Sequence, residues 1–185
     1  AEGAAFAVQL AHAGRKAWSS TYGVGPEAPV GPSPLPQGPE WVTPQALSLD
    51  EIDALVEDWR RAAARADAAG CDAIEIHGAH GYLLHSFLSP LSNQRDDAYG
   101  GSLENRSRLL LRVVDAARAV WPERKPLFVR LSCVDWRSGG LDIEDTIAVA
   151  RALAARGVDV VHCSSGGIAA PPSEALTPGY QVPFS

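Results

Sequence analysis

The chain has 185 residues, of which 46% are hydrophobic and 21% are charged, and its formal net charge is -6. This composition is typical of one globular domain with enough apolar residues for a core. The acidic balance argues against a nucleic-acid-binding surface, and no apolar run approaches the roughly 18 residues of a membrane helix. The cysteines, Cys71, Cys133 and Cys163, are too few and too far apart for a disulfide framework. We therefore expect reduced thiols, a cytoplasmic setting, and neither a membrane nor a nucleic acid as partner.

The first elements in chain order are a strand, a long loop and a capped helix. Residues 5–11 form an apolar run that is long enough for a strand and too short for a helix. Residues 16–47 carry seven prolines, which exclude a helix or a central strand and predict a loop of functional importance. Ser48 and Glu51 then fit a capping box, and apolar residues recur at helical spacing as far as Gly70.

The rest of the chain repeats this unit. Apolar runs predict strands over residues 72–77, 126–132 and 158–163, and the intervening helices begin after Ser102 and Asp142. Four strands alternating with three helices predict a parallel α/β sheet with right-handed crossovers. The strands are nearly continuously apolar, which predicts that both faces of the sheet are covered. The predicted inner faces of the helices comprise Ile52, Leu55, Val56, Trp59 and Ala63, then Leu109, Leu110, Val113, Val114 and Ala117, then Ile143, Ile147, Ala150 and Leu153.

Two architectures fit this alternation, a doubly wound open sheet and a (β/α)8 TIM barrel. Polar residues lie at the carboxyl ends of different strands, where barrel enzymes build their sites: Gln9, His77, Arg130 and Ser164. The first strand is not followed by the Gly-rich turn of a nucleotide-binding open sheet, so we favour the barrel. Because a barrel takes about 250 residues, residues 1–185 are expected to form a partial barrel domain with about four central βα units, the first and last strands being absent. The lack of methionine also favours a piece of a longer protein.

The richest cluster of candidate catalytic residues is the stretch from His77 to Tyr82, which follows a strand end. The imidazoles of His77 and His80 can hydrogen-bond an oxygen atom, and the phenol of Tyr82 can deliver a proton to carbon. In an alternative interpretation the histidines bond to loop backbone and Tyr82 packs in the core. A second alternative is a metal-dependent TIM-barrel hydrolase that uses His77 and His80, although no third ligand occurs at suitable spacing.

Arg130 and Gln9 are candidates for binding a cofactor or another anionic or heterocyclic group. Arg130 lies in an apolar strand and needs either an acidic partner, such as Glu75, or an anionic ligand. The Gln9 amide suits the edge of a flavin or pyrimidine ring, or a neighbouring loop. Residues 164–167 could hold an anion through free amides. We expect His12, Arg15 and the polar residues between 95 and 106 to be structural.

Taken together, four segments of this chain resemble the old yellow enzyme family of FMN-dependent ene-reductases. They are QLAHAGRKA at residues 9–17, IEIHGAHGYLLHSFLSPLSNQRDDAYGGSLENR at 74–106, PLFVRLS at 126–132 and VVHCSSGG at 160–167. The paired histidines are similar to those of the bacterial NADPH-dependent subclass.

The resemblance implies a TIM barrel with FMN across its carboxyl rim, NADPH as reductant, and an enone or nitro compound as substrate. Gln9 would contact the pyrimidine edge of the flavin, and Arg130 would lie near N1. His77 and His80 would hold the substrate oxygen, and Tyr82 would protonate the α-carbon. The full-length protein is expected to be a homo-oligomer. The segments that bind the FMN phosphate in the family lie outside residues 1–185, so these residues alone are expected to bind FMN weakly.

Overall fold

The centre of the fold is a sheet of four parallel strands with helices between them. The structure is a computed structural model that describes residues 3–17 and 28–185. The predicted loop over residues 16–47 therefore lies partly outside the described residues, Pro26 included. The strands are β1 (Ala7–Leu10), β2 (Val30–Gly31), β3 (Gln45–Ala46), β4 (Ala73–Gly78), β5 (Leu127–Ser132) and β6 (Val160–Ser164), and the α-helices are α1 (Leu49–Ala68), α2 (Leu83–Leu88), α3 (Leu103–Arg118) and α4 (Ile143–Ala154).

The main sheet has the order β1-β4-β5-β6, and every neighbouring pair is parallel. Side chains alternate between its two faces. On the helix side of β5, Leu127, Val129 and Leu131 are almost completely buried. On the other side, the outer strands β1 and β6 are exposed at Ala7, Gln9, Val160 and His162, and Val160 is 41% exposed. The expectation that both faces are covered is therefore wrong for the two outer strands of the described sheet.

The helices α1 and α3 confirm the predicted inner faces. In α1 the capping box is formed: Ser48 accepts from the Glu51 amide, and the Glu51 carboxylate accepts from the Ser48 amide at 2.8 Å. Ile52, Trp59 and Ala63 are buried, as are all five residues predicted for the inner face of α3. These two helices pack against each other and cover the apolar face of the sheet.

The predicted inner face of α4 is partly wrong. Ile147 is 36% exposed, whereas Thr146, Val149 and Leu153 are buried. The hydroxyl of Thr146 donates to the Cys133 carbonyl at 2.9 Å, which turns the stripe containing Thr146 towards the end of β5. The rotation of α4 therefore follows a hydrogen bond to a carbonyl outside the helix, and the spacing of hydrophobic residues gives no indication of that bond.

The structure adds two features to the predicted elements, the short helix α2 and a small parallel pairing of β2 with β3. Arg15 and Arg95 hold the proline-rich segment in place. The Arg15 guanidinium donates to the carbonyls of Leu35 and Pro36, and that of Arg95 donates to the carbonyls of Pro32 and Leu47. The expected structural role of these two arginines is confirmed. None of the described helices is long and apolar enough to cross a bilayer.

Burial in α3 leads to a stability prediction. Leu110 is fully buried between α3 and the sheet, whereas Leu49 at the start of α1 is 52% exposed. We expect Leu110→Ala to lower the free energy of unfolding by about 2–5 kcal/mol, because it leaves a cavity. The matched change Leu49→Ala should alter it by less than about 0.5 kcal/mol. Denaturant unfolding of the full-length protein measures both, and equal losses would contradict the burial assigned to Leu110.

Candidate active site

The carboxyl ends of β4, β5 and β6 meet at one edge of the sheet and carry the candidate site. In the strand register His77 is opposite Arg130, and Arg130 is opposite His162. His80 and Tyr82 follow in the turn after β4. The His77 ring lies between them, with its centroid 5.1 Å from the His80 ring and 5.0 Å from the Tyr82 ring, in edge-to-face contact with both. The structure thus brings together the three residues singled out in the sequence.

Backbone geometry positions the second histidine. His80 has a positive φ of 59°, which is uncommon for a residue other than glycine, and Gly81 follows with 73°. The His80 amide donates to Ser132 Oγ at 3.0 Å, and its ring Nε2 lies 2.6 Å from Ser164 Oγ. Hydroxyl groups at the ends of β5 and β6 therefore hold both the backbone and the ring of His80.

Two loops approach each other so closely at this turn that both need glycine. A Cβ atom on Gly81 would lie 2.3 Å from the Gly167 carbonyl oxygen, and one on Gly167 would lie 2.2 Å from backbone atoms of His80. The Ser132 hydroxyl also donates to the Gly166 carbonyl at 2.7 Å. The Gly166 amide donates to the Val134 carbonyl and so is already used, which counts against residues 164–167 as an open anion cradle.

Both histidines are neutral at physiological pH. Burial, followed by the nearby positive charge of Arg130, lowers the pKa of His77 and of His80 from the ordinary 6.5 to about 4. The Ala79 amide approaches Nδ1 of His77 at 3.4 Å, which leaves Nε2 of that ring to carry the proton. A neutral imidazole of this kind can donate one hydrogen bond to an oxygen atom without bringing a charge into the site.

Arg130 does not pair with Glu75, so that structural alternative is wrong. Glu75 instead accepts from the Gln9 side chain, and its other carboxylate oxygen lies 2.8 Å from His162 Nδ1. The Nε of Arg130 is buried without a hydrogen-bond partner, and within the described ranges no ion pair involves this arginine. Arg130 as a whole is partly exposed, but a buried Nε without a partner is unusual and favours an anionic or electron-rich ligand.

Next to these residues the uncovered face of the sheet forms a concave cavity of about 740 Å³. Apolar side chains, including Phe128 and Val160, make up most of its lining, and the polar groups of Gln9, Glu75 and His162 lie along it. Neither Arg130 nor His77, His80 or Tyr82 lines this cavity, and in a barrel the inner face of the sheet is packed by the remaining strands. The cavity is therefore not assigned to a ligand, whereas the unpartnered Nε of Arg130 fits a flat, electron-rich ring such as that of FMN.

Sequence reasoning missed Lys16 as a site residue. Its Nζ donates to the carbonyls of His80 and Gly167, both at 2.7 Å, and lies 5.6 Å from the centroid of the Tyr82 ring. Burial and the neighbouring charge of Arg15 lower the pKa of Lys16 to about 8. Because its partners lie far away in sequence, no local pattern indicates this role.

His162 was also missed, although the sequence does carry a signal for it. Strand alternation places Glu75 two residues before His77, and His162 two residues before Ser164, on the same face as the recognised residues. The hydrolase alternative gains no support from these positions. Within residues 3–17 and 28–185, no three His, Cys, Asp or Glu side chains come together as metal ligands.

Comparison with known proteins shows the family of the chain. A family model described as the NADH:flavin oxidoreductase / NADH oxidase family matches residues 1–177. This chain belongs to that family. Among curated relatives, the NADPH dehydrogenase of Bacillus licheniformis is 47% identical over 99% of this chain and 51% of its own length. That of Clostridium acetobutylicum is 47% identical over 99% of this chain and 52% of its own length.

Solved structures in the same family share the fold. Morphinone reductase in complex with tetrahydroNAD matches with a TM-score of 0.77 and 36% identity over 87% of this chain and 49% of that one. The old yellow enzyme homologue from Zymomonas mobilis matches with a TM-score of 0.77 and 33% identity over 90% of this chain and 49% of that one. The old yellow enzyme resemblance and the partial TIM barrel are confirmed. The chain spans about half the length of the curated relatives it matches.

The low pKa of His77 predicts how stability depends on pH. An unfolded histidine takes up a proton near pH 6.5, whereas folded His77 does so only near pH 4. The unfolded state therefore binds more protons between these values, and stability falls as the pH drops through that window. When the pH is lowered from 7 to 4.5, we expect the melting temperature to fall less in His77→Gln than in the unmodified protein. Position 77 is neutral in both proteins at pH 7, so the difference in melting temperature at that pH measures the packing lost in His77→Gln and is subtracted. Equal acid dependence would contradict a neutral, buried His77.

Proposed function

We propose that the protein is an FMN-dependent oxidoreductase that takes hydride from NADPH and reduces the activated C=C bond of α,β-unsaturated carbonyl or nitro compounds. The observation that carries this proposal is the neutral His77–His80 pair, with Tyr82 against it and a partnerless Arg130 beside it. The family match and the NADPH dehydrogenase relatives support it. The free cysteines fit a reduced, cytoplasmic setting.

Arg130 and Gln9 are the residues of this chain that would hold the flavin ring. FMN, when bound, supplies hydride transfer between NADPH and a polarised alkene. Arg130 provides a fixed positive charge that favours negative charge on a neighbouring ring. Gln9 has one amide hydrogen directed to Glu75, which fixes the amide orientation and leaves its oxygen as an acceptor for a ring N–H.

His77 and His80 would bind the carbonyl or nitro oxygen of the substrate. Both are neutral: His77 carries its N–H on Nε2, and His80 offers an N–H on Nδ1 when the Ser164 hydroxyl donates to its Nε2. Together they would withdraw electron density from a conjugated double bond without a proton transfer to the oxygen. The contact between His80 and Ser164 Oγ fixes the orientation of the His80 ring. The β-carbon of the alkene thereby becomes the electrophilic position that receives hydride.

Tyr82 would supply the proton that the α-carbon needs. Its ring contacts His77, which brings the phenol to the site where the substrate oxygen is held. The ammonium group of Lys16 over the ring favours the electron-rich phenolate that remains after proton donation. One hydride and one proton add across the double bond, and NADPH is oxidised to NADP⁺.

The cofactor and the reaction class can be tested together by visible absorption spectroscopy of the purified full-length protein. We expect a flavin band that bleaches with NADPH under anaerobic conditions and returns when cyclohexenone is added. A colourless protein that FMN does not reconstitute would overturn the proposal. Bleaching without recovery would retain the flavin and NADPH but reject the alkene substrate.

The role of Tyr82 can be tested by separating the two half-reactions. We expect Tyr82→Phe to slow alkene reduction by about 10²-fold or more, because it removes the proton donor, while flavin reduction by NADPH changes little. Stopped-flow absorbance measures each step. Tyr99→Phe is the matched control, since Tyr99 is a buried tyrosine that packs against Phe87. Equal slowing of both half-reactions in Tyr82→Phe would reject it as the proton donor.

A further inference from the structure

Behind the candidate site lies a buried histidine–aspartate pair to which the proposed chemistry assigns no role. His85 in α2 and Asp135 after β5 are both completely buried, and His85 Nε2 lies 3.1 Å from Asp135 Oδ1. The two atoms face each other without an aligned hydrogen bond, and neither atom has another hydrogen-bond partner. The other carboxylate oxygen accepts from Ser89 Oγ at 2.5 Å and from the Leu141 amide at 2.9 Å. Two hydrogen bonds therefore hold Oδ2 of the carboxylate, and Oδ1 faces His85.

The other ring nitrogen of His85 contacts the active-site turn. The Gly81 amide donates to His85 Nδ1 at 2.8 Å. Because Nδ1 accepts this bond, it carries no proton, and the proton of the neutral ring lies on Nε2, facing Asp135. The aspartate thus selects the tautomer that can accept from Gly81.

Gly81 is the residue between His80 and Tyr82, so this hydrogen bond acts at the centre of the site. The turn is left-handed at both His80 and Gly81, and the Gly81 position has no room for a Cβ. A strained turn persists only where its surroundings fix it. An unpartnered buried amide in that turn would be costly, and the turn would rearrange to satisfy it.

We propose that His85 is a positioning residue: its Nδ1 holds the His80–Tyr82 turn through the Gly81 amide, and Asp135 keeps His85 in the tautomer that this bond requires. The consequence for substrate binding rests on the proposed function, whereas the consequence for the turn itself does not.

The charge state of the buried Asp135 agrees with this assignment. Burial alone would raise the pKa of Asp135, but the neighbouring His85 ring and the hydrogen bonds from Ser89 and Leu141 lower it below the usual value, so the carboxylate stays ionised.

The sharpest variant is Asp135→Asn, which keeps the shape and changes the hydrogen-bond pattern. The Leu141 amide donates to position 135 and so requires the amide oxygen of the asparagine, which turns its NH2 group towards His85. His85 Nε2 must then accept, its proton moves to Nδ1, and two N–H groups face each other at Gly81. We expect the turn to shift, with the Kd for a para-substituted phenol, a mimic of the substrate oxygen, raised about tenfold.

His85→Asn provides the rescue, because an asparagine oxygen can occupy the position of Nδ1 and accept from Gly81 whatever residue stands at 135. In the Asp135→Asn background it should restore phenol affinity to within about threefold of the unmodified protein. His85→Leu removes the acceptor and should weaken phenol binding about tenfold in either background. Phe87→Leu is the control for α2 packing, since Phe87 is equally buried and its ring packs against Tyr99; it should leave phenol affinity unchanged.

Two readouts on the full-length protein separate this inference from the proposed function. Nitrogen NMR of the histidine rings reports the protonated nitrogen of His85 without any ligand, and phenol titration of the flavin absorbance reports the site. Nε2-protonated His85 that switches to Nδ1 in Asp135→Asn, with loss and rescue of phenol binding as above, supports the proposal. An Nδ1 proton in the unmodified protein, or unchanged phenol affinity in Asp135→Asn and His85→Leu, overturns it. If no flavin binds, the proposed function fails, while the NMR result still decides the tautomer.

Discussion

The parallel register of β4, β5 and β6 is the constraint on which the candidate site depends. It sets His77 opposite Arg130 and Arg130 opposite His162, so three charged or titratable side chains lie side by side at one end of the sheet. Because strand side chains alternate, a slip of one residue would send all of them to the helix-covered face. The apolar residues of the same strands prevent that slip. Leu127, Val129 and Leu131 occupy the core and would otherwise become exposed.

This alignment also determines the charge of the site. Glu75 is partnered by Gln9 and His162 rather than by Arg130, so its negative charge is satisfied away from the arginine. Arg130 keeps its positive charge available and, with burial, holds His77 and His80 neutral. The result is a rim with fixed positive charge and neutral N–H donors, which suits a developing negative charge on oxygen or on a ring. A direct Arg130–Glu75 pair would have cancelled that charge.

Local and periodic signals were sufficient to predict the four main strands, the capped helices and the residues gathered at the strand ends. The capping box at Ser48 and the inner face of α3 need only neighbours three or four residues away. The rotation of α4 depends instead on Thr146 reaching the Cys133 carbonyl. Lys16 bonds to residues 64 and 151 positions away in the sequence. Contacts of that range follow from the completed fold, and a single sequence carries no pattern that marks them.

Contacts between residues distant in the sequence also hold the shape of the candidate site. The turn after β4 is fixed mainly through backbone groups: the His80 amide on Ser132, the His80 and Gly167 carbonyls on Lys16, and the Gly81 amide on His85. Few of these contacts involve the His77, His80 and Tyr82 rings. The backbone geometry of the turn is therefore maintained independently of the Tyr82 ring, and Ser164 Oγ separately holds the His80 ring. For this reason a substitution behind the turn, at Asp135, is expected to disturb binding without touching any ligand.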